Sequence, residues 1–234
     1  AGMVLAGGCV SRLLVLAASG NGRSIVTLLV TGIAGYATLR GILSYPRIWL
    51  ENAWSLETAH AQLNEGGIVT AVLVSAAIAV VLLGFLIPLI RKSGLQGVAT
   101  GAAVGLAVVA GWTVTGIIGA DDFEPTQLAS LSFVAPAGET IQYLMIFTGD
   151  TIRYSVALLG GVLVGAFASA LAGRRFHLKG FTAENSLARY LVGGLLMGFG
   201  GVTALGCSVG QGLSGNSTAS LSSVIAVLAI AAGG

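Results

Sequence analysis

The chain has 234 residues, of which 55% are hydrophobic and only 9% are charged. Soluble globular domains carry about 25% charged residues, so this composition excludes that class and indicates a protein that lies in the lipid bilayer. A formal net charge of +2, without a basic stripe, argues against a nucleic-acid partner.

Apolar runs of membrane-spanning length recur along the chain. A transmembrane helix needs about 20 predominantly apolar residues, and six runs reach this length alone or with their flanks. We therefore predict an all-α integral membrane fold, a polytopic helical bundle that forms a single membrane domain over residues 1–234. Because the chain starts at Ala1, inside a motif, we also expect further sequence upstream. The six runs are residues 25–39, 68–90, 95–118, 156–171, 187–205 and 221–232.

Charged loops predict the orientation of these runs. Arg91-Lys92 and Arg174-Arg175 are basic and should face the cytoplasm, and the acidic loop 121–124 should lie outside. Residues 131–150 are numerous enough to cross, but a proline, a glycine and the polar Glu139 interrupt them. A crossing there would also move the Arg174-Arg175 loop outside. We therefore interpret this segment as re-entrant from the outer side.

Two segments that carry the only two cysteines look like copies of one another. Residues 2–9 read GMVLAGGC and residues 200–207 read GGVTALGC, and a Gly-Asn pair follows each of them. The predicted orientation makes the copies run in opposite directions, which gives an inverted repeat with half-repeats of about 1–90 and 95–234. Glycine-broken segments at corresponding positions of such a repeat point to the substrate site of a transporter.

The glycine breaks have chemical consequences inside a membrane. A helix that ends just before each cysteine leaves unpaired backbone groups, which are tolerated only beside protein or a polar pathway. The next helix begins with partial positive charge, which favours an anion. Amide and guanidinium side chains nearby add donors. The candidate substrate-path residues are Cys9, Cys207, Gly8, Gly206, Arg12, Gln211, Asn21, Asn216 and Glu139.

Simpler interpretations of the same residues stay open. The cysteines could be small buried hydrophobes, the glycines packing positions, the asparagines helix caps, Arg12 a cytoplasmic anchor, and Glu139 a solvated side chain. No catalytic triad, paired carboxylates, phosphate loop or metal-ligand spacing is present in the sequence, so we predict neither an enzyme nor a metal or cofactor. The alternatives to a transporter are a channel for another small solute or anion, a membrane thiol-redox protein, and a structural subunit.

Three stretches of the chain resemble the YeeE/YedE family of bacterial sulfur transporters. They are residues 5–12 (LAGGCVSR) with 20–24 (GNGRS), residues 204–215 (ALGCSVGQGLSG) and residues 132–143 (SFVAPAGETIQY). The resemblance implies multi-pass insertion in the bacterial inner (cytoplasmic) membrane and uptake of thiosulfate or a related sulfur oxyanion, handed on by cysteines along a central path. It also implies a small cytoplasmic sulfur-carrier protein as acceptor and, in some members, another cysteine upstream.

Overall fold

A computed structural model of the chain describes residues 1–53, 94, 96–119, 130–149, 152–180, 187–217 and 221–233. The prediction of an all-helical fold is confirmed for these residues. The predicted run 68–90, the Arg91-Lys92 pair and the acidic loop 121–124 lie outside them. Among the described residues, one π-helix, Val114–Ile118, ends the fifth helix, and another, Gly210–Gly215, stands between the last two α-helices. The helices are α1 Gly2–Ala6, α2 Val10–Ala18, α3 Gly22–Arg40, α4 Ser44–Ala53, α5 Gln96–Ile117, α6 Val134–Met145, α7 Tyr154–Ala172, α8 Leu187–Thr203 and α9 Leu221–Gly233.

Three of these helices, α3, α5 and α7, are long and apolar enough to cross a membrane. Their ends agree within one turn with the predicted runs 25–39, 95–118 and 156–171. The helices α8 and α9 are apolar but shorter, with 17 and 13 residues. The helix α8 ends at Thr203, before the end of the predicted run 187–205, because the backbone turns into the left-handed region at Leu205 (φ 55°).

The centre of the fold is the crossing of α3 and α8, where small residues bring the two backbones together. Gly194 and Gly198 of α8 lie against the carbonyls of Thr27 and Thr31 in α3. Both threonines are fully buried, and each hydroxyl donates to the carbonyl one turn back at 2.8 Å, so no hydroxyl is left unpaired. Small residues on one face are the usual means of close helix packing in lipid, where no hydrophobic force joins helices.

The helix α6 lies in the segment predicted to be re-entrant, and it packs against α3 and α7. Gly138 of α6 lies so close to α3 that an added Cβ would be 3.0 Å from the Gly32 carbonyl oxygen. With 12 residues and a rise of 1.5 Å per residue, α6 is about 18 Å long. A hydrocarbon core is about 30 Å thick, so α6 alone is too short to span it. The re-entrant path itself stays a prediction.

After α7 the chain turns at Arg174 (φ 50°) and folds back as a strap, residues 174–179, along the turn between α2 and α3. The His177 amide donates to the Ser19 carbonyl at 3.2 Å and the Lys179 amide to the Gly20 carbonyl at 3.1 Å. In return, the Gly22 amide donates to the Lys179 carbonyl at 3.0 Å. These backbone hydrogen bonds bring the basic segment after α7 beside the start of α3.

Candidate substrate path

The first glycine break separates α1 from α2 immediately before Cys9. Gly7 adopts the left-handed conformation (φ 74°), and the Gly8 amide donates back to the Met3 carbonyl at 2.9 Å. This left-handed turn ends α1 and satisfies one of its last carbonyls. Cys9 is extended (φ −76°, ψ 165°) as the N-cap of α2, and its carbonyl accepts the Leu13 amide at 3.0 Å.

The second break repeats this geometry position by position before Cys207. Leu205, the counterpart of Gly7, is also left-handed, and the Gly206 amide donates to the Gly201 carbonyl at 2.8 Å. The Cys207 carbonyl accepts the Gln211 amide at 2.8 Å. The sequence duplication therefore extends to the backbone at both breaks. The opposite membrane orientation of the two copies stays a prediction.

Both thiols lie at the start of a helix and meet polar groups there. The Cys9 sulfur lies 3.1 Å from the Ser11 hydroxyl, and the Ser208 hydroxyl is also close to it. The Cys207 sulfur accepts the Gly210 amide at 3.4 Å. Both residues are free cysteines; Cys9 is half-buried and Cys207 is buried. Each sulfur is thus placed where first-turn amides give partial positive charge.

The two cysteines line the same cavity, which has a volume of about 180 Å³. A single water needs only ~10–15 Å³, so a small anion fits. Gly206 and Ser208 line it with the cysteines, and the remaining wall is small or apolar. In the part of the chain that the structure describes, no acidic or basic side chain lines this cavity. The structure therefore brings Cys9, Cys207 and Gly206 together, among the predicted site residues.

Gln211 and Arg12 lie next to the glycines of the two breaks but do not line the cavity. Gln211 is buried, and its side-chain amide donates to the Ala204 carbonyl at 2.6 Å, which satisfies a carbonyl freed by the end of α8. Arg12 is exposed, and its side chain covers Gly8, with the Arg12 Cδ atom 3.0 Å from the position of an added Cβ. Gln211 therefore has a structural partner at the break, and Arg12 is not a buried cation.

The two asparagines and Glu139 lie elsewhere. The Asn21 side chain accepts the Arg23 amide at 3.2 Å and caps α3, whereas Asn216 is exposed at the end of the π-helix. The two asparagines therefore do not share one geometry. Glu139 is half-buried on α6, and its carboxylate accepts a hydrogen bond from the Ser155 hydroxyl of α7. None of the three lines the cavity of the cysteines.

The sequence interpretation missed several residues of the cavity wall. Met3 and Met197, two of the chain's three methionines, line it together with Val134. Met3 lies inside the duplicated segment and could have been noticed there. Met197 and Val134 give no local signal, because they reach the cavity only through the packing of α8 and α6.

Trp112, inside an apolar run, donates its indole N–H to the Ser217 hydroxyl at 3.1 Å.

Apolar spanning helices, two interrupted helices and a thiol-lined cavity together define a membrane protein of the transporter class. The chain matches the family described as sulphur transport (YeeE/YedE) over residues 1–234, and it belongs to this family. Membership confirms the resemblance noted in the cysteine motifs. It also confirms the prediction that the chain is not an enzyme.

Two relatives are both named thiosulfate transporter TsuA. The protein of Escherichia coli (strain K12) is 32% identical over 114 residues, which are 49% of this chain and 30% of that protein. The protein of Spirochaeta thermophila is 28% identical over an alignment of 240 residues, which covers 96% of this chain and 69% of that protein. The similarity is therefore modest but extends over nearly the whole chain.

Proposed function

We propose that this chain takes up thiosulfate or a related sulfur-containing anion across the bacterial inner membrane, along a path that passes Cys9 and Cys207. The observation that carries the proposal is that both thiols line one cavity, each at the start of a helix. Family membership and the names of the two relatives support the substrate class.

The chemistry of the cavity matches a sulfur anion. Thiosulfate has a soft terminal sulfur and hard oxygens, and a thiol S–H is a weak donor to such a sulfur. First-turn amides attract the negative charge, while thiolates would repel a dianion. In the proposed path the two cysteines contact the anion without forming a covalent bond to it.

The membrane potential opposes this movement. Two negative charges that move inward against an inside-negative potential of about 100 mV need roughly 4–5 kcal/mol, from ~2.3 kcal/mol per charge. Uptake therefore requires an outside excess of the anion, its consumption in the cytoplasm, or a co-transported cation. The proposal includes a small cytoplasmic sulfur-carrier protein as the acceptor that consumes the imported sulfur.

The proposed path also requires an inverted architecture, with half-repeats 1–90 and 95–234 and residues 131–150 re-entrant from the outside. The repeated backbone geometry at the two breaks and the short α6 support it. Single cysteines at Gln127 and Ile152, in a chain with both native cysteines replaced by serine, test it. Both should react with a membrane-impermeant maleimide added outside intact cells. Labelling of Gln127→Cys alone would mean that the segment crosses.

Uptake of labelled thiosulfate into proteoliposomes tests the role of the thiols. Cys9→Ala and Cys207→Ala each remove little volume, so a packing role predicts near-normal uptake. If a thiol contacts the buried anion, its removal leaves the anion without that partner and costs several kcal/mol. Each 1.36 kcal/mol is tenfold in rate. We expect uptake to fall by at least about one to two orders of magnitude. Cys→Ser should fail as well, because a hydroxyl matches the soft sulfur poorly.

Val4→Ala is the matched control, because Val4 lies in α1 near Cys9, is 51% exposed and does not line the cavity. It should transport normally. Wild-type uptake by both cysteine-to-alanine variants would contradict the thiol path. An ion current without saturation would instead favour a channel, and no flux of either kind would favour a redox or structural subunit.

A further inference from the structure

A second, larger cavity lies between α2 and α7, on the side of the strap. Its volume is about 1090 Å³, and it shares no lining residue with the cavity of the cysteines. Arg175, His177 and Lys179 of the strap line one end. Ser19 and Asn21, from the turn before α3, add polar groups at the same end.

The lining changes from the charged residues of the strap to small and apolar residues of α7. Beyond Gly173 the wall is formed by Ser169 and Ala166, and it reaches Val162, with Val15 of α2 opposite. From Val162 to Gly173 a helix rises about 16 Å at 1.5 Å per residue. The small side chains of this face leave a groove that runs from the basic strap into the apolar length of the bundle.

We propose that this groove binds one anionic phospholipid. The phosphate lies against the cationic side chains of the strap, and an acyl chain follows the apolar wall of α7. Basic pockets between membrane helices on the cytoplasmic side suit anionic lipid head groups, and the positive-inside rule predicts that side for the strap. In the described part of the chain, no acidic side chain lines the groove, so nothing there would repel the phosphate.

The groove favours a lipid over an acidic protein partner. A protein that docks through charge would use the exposed strap alone and would leave the apolar wall empty. A phospholipid would contact both the basic strap and the apolar wall, because its charged phosphate and its acyl chains belong to one molecule. The strap also holds the turn between α2 and α3 through backbone hydrogen bonds. Bound lipid should therefore stabilise this corner of the fold.

Native mass spectrometry can test the proposal on the detergent-solubilised chain. The protein is incubated with equal amounts of phosphatidylglycerol and phosphatidylcholine, and the lipid retained per chain is measured. We expect phosphatidylglycerol to be preferred. Near the membrane surface each cation contributes about fivefold to such a preference, so Arg175→Gln combined with Lys179→Gln should lower it by about 25-fold. Arg174→Gln is the control, because Arg174 is in the same strap but does not line the groove.

A second pair of variants tests the apolar wall without any change of charge. Gly165 lines the groove, Gly161 does not, and at both an added Cβ would meet nothing within 4 Å. Gly165→Leu should narrow the groove beside α7 and lower the retention of phosphatidylglycerol, while Gly161→Leu should leave the retention unchanged. Circular dichroism confirms that each variant is folded.

Two outcomes would overturn the proposal. The first is equal retention of phosphatidylglycerol by Gly165→Leu and Gly161→Leu. The second is displacement of the lipid by glycerol 3-phosphate, which carries the phosphate without acyl chains, because the site would then be an anion site only.

Discussion

The crossing of α3 and α8 predicts that Gly198 cannot accept even one methyl group. An ideal Cβ there would lie 2.6 Å from the Thr31 carbonyl oxygen, 2.7 Å from the Ala34 Cβ and 2.8 Å from the Gly35 nitrogen. Two of these atoms are backbone and the third is a Cβ, so no flexible side chain can move aside. The substitution Gly198→Ala must therefore push the two helices apart.

The size of the effect follows from a comparison with Gly200→Ala in the same helix. An added Cβ at Gly200 meets nothing within 4 Å, so this variant gains helix propensity, up to ~1 kcal/mol, without a clash. Gly198→Ala gains the same helix propensity, but overpacking at the helix crossing lowers its folding stability by ~1–3 kcal/mol. The difference between the two variants is then the cost of the contact. For a chain of this size it corresponds to a melting temperature about 2–12 °C lower for Gly198→Ala.

Thermal unfolding of both variants in the same detergent measures this difference. Gly198→Ala should also transport poorly, because α8 carries the break that positions Cys207 in the cavity. Equal melting temperatures for Gly198→Ala and Gly200→Ala would refute the close crossing of α3 and α8.

Thermal unfolding also tests the two breaks. Gly7→Ala places a side chain in the left-handed region and should cost about 1–2 kcal/mol, whereas Leu205→Gly relieves the same strain and should leave stability equal or higher; a destabilised Leu205→Gly would contradict the left-handed turn. Gln211→Met should cost about 1–3 kcal/mol, because the Ala204 carbonyl loses its donor. Gln211→Glu should cost as much, since an ionised carboxylate cannot donate, and wild-type stability in both would remove Gln211 from the break.

Long apolar runs predicted the spanning helices well, because length and hydropathy are local properties of the chain. The run 156–171 agrees within one turn with α7, and the glycines before each cysteine correctly marked the ends of helices. The left-handed turn at Leu205 was not predicted, because leucine rarely adopts a positive φ. Only its alignment with Gly7 in the duplicated segment could have indicated it.

Contacts between distant segments could not be predicted from local patterns. The pairing of the strap with the turn before α3 joins residues such as Lys179 and Gly22, whose backbone groups carry no sequence signal. Glu139 was predicted beside the substrate path, and in the structure its carboxylate accepts a hydrogen bond from the Ser155 hydroxyl in the neighbouring helix. Polar side chains in a membrane protein find partners through helix packing, which one sequence alone does not reveal.

The lining of the cysteine cavity bears on how an anion could leave as well as enter. A transport path must bind its substrate strongly enough to replace part of its hydration but weakly enough to release it. A buried arginine or lysine would supply a full charge and hold a dianion, and Arg12, the cation nearest in sequence to Cys9, is exposed instead. The cavity offers thiols, the Ser208 hydroxyl and the partial charges of helix starts. In the proposed function, two such weak sites in succession would divide one large desolvation barrier into smaller ones, and the repeated break would supply one site for each step.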